Sequence, residues 1–113
     1  MNVNLINVPL ISHKIVKKTV EDFFLHQSIN RDGVVNISFV SQFQIRNLNK
    51  KYRQVNRSTD VLSFPIWKDI KEIPKKGKVA LGDIFICPKE TEIDKNLSEL
   101  ISHSLNHLIG KHH

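Results

Sequence analysis

Thr59-Asp-Val-Leu-Ser-Phe-Pro65 and Val79-Ala-Leu-Gly-Asp-Ile-Phe-Ile-Cys87 read as two strands with no helix between them. Residues 66–78, which join them, form a Lys-rich loop with Pro74 and Gly77, and Pro88 stops the second strand. Strands in immediate succession break any regular β-α-β repeat. Upstream, Val3 to Val8 form a first strand ended by Pro9, and Ser12 is placed as the N-cap of a helix reaching about His26. Ile15, Val16, Thr19, Val20, Phe23 and Phe24 give that helix one apolar face. After the Asp32-Gly33 turn, Val35, Ile37 and Phe39 alternate with polar residues as a half-buried strand. A short helix follows with Ile45, Leu48 and Tyr52 inward. In the last helix Asn96 and Glu99 are spaced as a capping box, and Leu97, Leu100, Ile101, Leu105 and Leu108 form an apolar stripe. The expected fold is α+β: a small mixed sheet of about four strands with helices packed over it, in one domain covering 1–113.

Composition narrows the function classes. Apolar residues make up 40% of the 113, and no run approaches a membrane span. The N-terminus has neither a basic n-region nor a long apolar stretch, so no signal peptide is expected. The single Cys87 excludes an internal disulfide framework, fits a reducing cytoplasm, and at the end of an apolar strand reads as a buried inert thiol. A net charge of +6 and a pI near 9.6 favour an anionic partner, nucleic acid first.

The last eleven residues carry the chemistry. They read His103-Ser-Leu-Asn-His107-Leu-Ile-Gly110-Lys-His-His113, the pattern H-x-x-x-H-x-x-G-x-x-H. Two histidines four apart project from one helical face, so their ring nitrogens can converge on one ion. Gly110 is suited to stop the helix at positive φ and turn the chain back, which brings His113 round as a third ligand. Three protein ligands with one open position are the layout of a catalytic zinc. His113 is also the last residue of this sequence, so its α-carboxylate would lie beside the ion and compete for that open position. Here His112 is a second competitor, or a proton acceptor. The same spacing occurs in metzincin proteases, but Ser104 stands where their motif has the general-base Glu, which disfavours a peptidase.

Lys50, Lys51, Arg53 and Arg57 cluster about the end of the second helix. A guanidinium there can grip a phosphate bidentately, whereas Lys50 and Lys51 read as a solvated face. Gly82 inside an apolar strand suggests a bulge or a close backbone approach, and Asp83 faces either solvent or the metal cleft.

Three segments together resemble the YbeY family, bacterial endoribonucleases and ribosomal-RNA maturation factors. The C-terminal histidine segment is similar to that family's H-G-x-x-H-L-x-G-Y-D-H, with Ser104, Lys111 and His112 departing from it. Leu48-Asn49-Lys-Lys-Tyr52-Arg53 followed by Ser58-Thr59-Asp60-Val61-Leu62-Ser63-Phe64-Pro65 matches L-N-x-x-Y-R and P-T-D-V-L-S-F-P, and Leu81-Gly82-Asp83-Ile84-Phe85-Ile86-Cys87 matches L-G-D-I-x-I-C. The resemblance implies that His103, His107 and His113 hold one zinc per chain and that Arg53 acts at the cleft. It also implies hydrolysis of single-stranded RNA, with maturation of the small-subunit ribosomal RNA 3′ end and ribosome quality control as the cellular role. Ribosomal RNA and the small ribosomal subunit are then the expected partners, with no membrane and no DNA. Arg57 and His112 are placed as substrate-binding side chains. The alternative is a non-catalytic ribosome-assembly factor in which metal only secures the C-terminal helix. Aromatics at 7% argue against base-by-base stacking, so weak sequence preference is expected.

Overall fold

The structure is a computed structural model and describes residues 2–27, 29–30, 32–91 and 93–110, apart from the side chains of 93–95. Its order is β1 (Asn2–Ile6), α1 (Leu10–Leu25), β2 (Gly33–Phe39), α2 (Gln42–Arg53), β3 (Val61–Pro65), β4 (Val79–Ile86) and α3 (Ile93–Leu108). The strands form one mixed sheet, β1-β2-β4-β3, in which β1, β2 and β4 run parallel and β3 is antiparallel to β4. The α+β expectation holds. Helix α1 makes the crossover that parallel β1 and β2 require. No helix intervenes between β3 and β4. The connecting loop holds only a 3-10 turn, Ile70–Glu72, where the Lys71 N–H donates to the Asp69 carboxylate at 3.0 Å.

Two layers of helix sandwich the sheet. On one face Val16, Val20 and Phe24 of α1 and Leu97, Ile101, Leu105 and Leu108 of α3 join Val35, Ile37, Leu81, Ile84 and Ile86 in the main core. On the other face Ile45 of α2 packs with Leu62 and Cys87, flanked by Leu48, Phe64 and Phe85. Cys87 is a buried free thiol, as its sequence context predicts.

Gly82 reconciles β4 with both neighbours. Val34 pairs with Ala80 and Val35 with Gly82, so Leu81 is an extra residue in the ladder. That bulge lets Leu81 and Ile84 face the same core although their spacing is odd. Gly82 adopts φ +152°, and a Cβ there would lie 2.5 Å from the Phe64 carbonyl oxygen and 2.7 Å from Leu108. The glycine therefore admits both a strand and a helix at close range.

Several local expectations give way to tertiary context. Helix α1 starts at Leu10 with Pro9 as its cap, and Ser12 is buried inside it, its N–H bonded to the Pro9 carbonyl at 2.9 Å. Proline pre-sets the chain for helix entry a turn earlier than a serine cap would. Helix α3 starts at Ile93, so Asn96 and Glu99 lie within its body and do not cap it. Tyr52 is 55% exposed and makes an edge-on contact with the Phe64 ring, at 5.3 Å between centroids. Its place in the interior is taken by Asn49, which is 6% exposed.

Candidate active site

Strand β3 is one of the two edges of the sheet, and the site is built around it. Its alternation sends Leu62 toward α2 and presents Val61, Ser63 and Pro65 to the α3 side. There they line a cleft of about 280 Å³ with His103, Ser104 and His107 of α3 and with Arg53. Arg53 belongs to the helix on the opposite face. It is the last residue of α2 and reaches the cleft at the edge strand, where its Nη2 donates to the Ser63 carbonyl at 3.3 Å. An outward carbonyl of an edge strand otherwise has no ladder partner, so this bond satisfies β3 and orients the guanidinium together.

His103 and His107 sit on consecutive turns of α3, at the flank of its buried stripe. Their Nε2 atoms are 3.2 Å apart, with ring centroids at 4.7 Å and planes at 84°. Two nitrogens each about 2.0–2.1 Å from one zinc at a tetrahedral angle stand roughly 3.3–3.4 Å apart. The pair therefore has the donor type and the separation of two ligands of one ion. Among the described residues no third His, Cys, Asp or Glu joins them. His113, the expected third ligand, and His112 lie outside the described residues. The turn that leads to them is described. Gly110 has φ +81°, its N–H donates to the His107 carbonyl at 3.1 Å, and a Cβ there would lie 2.8 Å from the Lys68 carbonyl oxygen. The chain thus leaves α3 through a left-handed glycine packed against the β3–β4 loop, as the sequence pattern demands.

Other residues singled out by sequence take different places. Ser104 is fully buried at the cleft wall, and its hydroxyl donates to the Leu100 carbonyl at 2.9 Å. It back-bonds to its own helix and holds no general-base position. Asp83 faces away from the cleft: β4 alternation puts it on the α2 side of the sheet, where its Oδ1 accepts from Asn36 Nδ2 at 2.9 Å. Asn36 Oδ1 in turn accepts from Asn4 Nδ2 at 2.9 Å, which completes a polar row across three strands. Arg57 is exposed and does not line the cleft; its carbonyl accepts from Asn49 Nδ2 at 3.0 Å.

Sequence reasoning assigned no site role to Val61, Ser63 or Pro65, although their segment was read as a strand. The alternation of that strand carried the signal, but which face meets α3 depends on the sheet order. Glu90 was missed altogether. Its Oε1 accepts from Gln42 Nε2 at 2.5 Å and from Ser58 at 2.8 Å, and these bonds hold its carboxyl below the usual carboxylate range.

A family model described as "Endoribonuclease YbeY" matches residues 6–113. The chain belongs to this family of endoribonucleases. It is similar to "Endoribonuclease YbeY" of Alkaliphilus metalliredigens, with 32% identity over 88% of this chain and 70% of that protein. The Clostridioides difficile protein of the same name is 34% identical over 91% of this chain and 75% of its own length. The one from Finegoldia magna is 37% identical over 79% and 62%. A Thermotoga maritima protein solved in solution shares the fold, with TM-score 0.53 and 20% identity over 98% of this chain and 73% of that one. Among the described residues, no helix is long and apolar enough to cross a membrane.

Proposed function

We propose that the chain is a zinc-dependent endoribonuclease that cuts single-stranded RNA at the edge-strand cleft, with His103, His107 and His113 holding one zinc in a single domain, 1–113. The observation that carries this reading is the 3.2 Å approach of the His103 and His107 Nε2 atoms in a cleft that also holds Arg53. RNA as the substrate follows from the family. Zinc, when bound, supplies a Lewis acid that lowers the pKa of water to about 7 and polarises a phosphoryl oxygen. The protein's own contribution is positioning. The Ser63 carbonyl fixes one donor of Arg53, and the remaining donors of its fork are available to grip the scissile phosphate and stabilise charge on its oxygens. The net charge of +6 draws the polyanion and makes binding depend on salt. The cellular setting implied by the resemblance is the cytoplasm. There the ribosomal RNA of the small subunit would be matured and defective ribosomes removed.

The test incubates purified protein with an unstructured RNA and, separately, with casein, before and after chelation and with zinc restored. RNA cleavage that disappears on chelation and returns with zinc supports the reading. Cleavage that survives chelation overturns the metal. Zinc bound without RNA cleavage makes the protein a metal-stabilised assembly factor, and cleavage of casein makes it a peptidase.

A further inference from the structure

Helix α2 has an outer face that its packing does not explain. Ile45 and Asn49 are its buried residues, which fixes the inner side. At 100° per residue, Phe43, Arg46, Lys50 and Arg53, spaced i, i+3, i+7 and i+10, fall within one sector of about 80° along one flank of that inner side. All four are exposed, Phe43 by 69%. The helix sequence, Gln-Phe-Gln-Ile-Arg-Asn-Leu-Asn-Lys-Lys-Tyr-Arg, contains no acidic residue, so no intrahelical ion pair offsets these charges. Cations in the last turn complement the helix dipole, which accounts for Lys50 and Arg53 in part. It does not account for Arg46 in the middle of the helix, nor for a phenylalanine left in water at its start. A lone exposed aromatic means little. Here it stands at the head of a line of cations, and that line ends at Arg53, the one residue of α2 that lines the cleft.

We propose that this stripe is a track for single-stranded RNA leading into the cleft, with Phe43 as a platform on which one base stacks and Arg46 and Lys50 as phosphate contacts between platform and cleft. The inference rests on the endoribonuclease reading and adds to it where the substrate lies beyond the scissile bond. From Phe43 to Arg53 the helix rises about 15 Å, roughly four stacked nucleotides at 3.4 Å each. The track thus engages a short single-stranded stretch on one side of the cut. A phenyl face accepts any base, so the track confers length dependence and weak sequence preference.

The test measures binding of a fluorescent dodecauridine to the full chain over a range of salt, together with its cleavage. Arg46→Ala with Lys50→Ala removes two phosphate contacts and is expected to lower the slope of log affinity against log salt by about 1.4, at roughly 0.7 per contact on a single strand. Lys14→Ala with Lys18→Ala removes the same charge from the exposed side of α1 and is expected to leave that slope unchanged. Phe43→Ala is expected to weaken binding at least about five-fold, and Phe43→Trp to retain it. Equal slopes for the α1 and α2 double variants, or full affinity in Phe43→Ala, overturn the track while wild-type cleavage still upholds the endoribonuclease. Wild-type protein with zinc that neither binds nor cuts the RNA overturns both.

Discussion

Helices α2 and α3 serve the same cleft from opposite faces of β3, and they are held in place by different physics. Helix α3 presents His103 and His107 from the flank of a stripe in which Ile101, Leu105 and Leu108 are fully buried. Helix α2 buries Ile45 and Asn49, rests Ile45 and Leu48 on the smaller cluster, and is further held by hydrogen bonds at its two ends. At its start Ser41 and Gln44 form a reciprocal capping box, with bonds of 3.1 and 2.9 Å. At its end the chain turns through Gln54 at φ +58°, and Asn49 ties down the following segment, its carbonyl accepting from Val55 and its amide donating to Arg57. The metal-facing pair is thus positioned by hydrophobic packing and the phosphate-facing arginine by local polar bonds. A helix that buries a narrow edge and is clasped at its ends leaves most of its surface free for charge, whereas a helix that fills the core does not.

That contrast predicts different signatures when each side is damaged. Leu105→Ala opens a cavity in the core on the far side of α3 from the histidines and is expected to cost about 2–5 kcal/mol, read as a lowered denaturant midpoint, with weaker zinc affinity alongside as the helix loses its seat. Normal zinc affinity in that variant would detach the metal pair from core packing. Arg53→Lys keeps the charge but loses the planar fork, and cleavage should fall about 10- to 100-fold, equivalent to about 1.4–2.7 kcal/mol, with zinc content unchanged. Turnover at the wild-type rate would reduce Arg53 to a clasp on the edge strand. Ser41→Ala removes the cap of α2 and should cost about 1 kcal/mol, measured by thermal unfolding. Zinc content should not respond to it.

The smallest effect belongs to Glu90, which links the start of α2 to Ser58 on the loop before β3. Its carboxyl is lowered from 4.5 by hydrogen bonds from Gln42 and Ser58. A depressed carboxylate contributes stability above its unfolded pKa, and that contribution is lost as pH falls through the folded value. Glu90→Gln should therefore narrow a slight stability difference between neutral and acid pH. A difference that widens on substitution would reverse the assignment.

The parts of the fold legible in sequence were those with strong period or punctuation. The alternation in Gly33–Phe39, the stripe in α3 and the Gly110 stop all appear where the pattern puts them. Gly82 was legible as an anomaly, and the structure shows it to be both a bulge and a close approach. Caps were less legible: Ser12 and Asn96 have capping chemistry, but α1 already starts at Leu10 after Pro9 and α3 at Ile93, which leaves both residues inside their helices. In the cleft, His103 and His107 were readable from spacing and residue type, whereas Arg53 was singled out from the neighbouring cations only by the family resemblance. The inward face of β3 and the direction of Asp83 were not, since a strand's alternation names two faces and only the neighbouring helices decide which is which.

The central claim is that the His103–His107 pair is the metal-binding half of a site that cuts RNA. It is tested most directly by measuring zinc content and cleavage of a single-stranded RNA on the same preparations of wild type and His103→Ala. The His103 side chain is exposed, so its removal should leave the melting transition in place. His103→Ala is expected to lose both zinc and cleavage while remaining folded. A folded His103→Ala protein that cuts the RNA at the wild-type rate would contradict it.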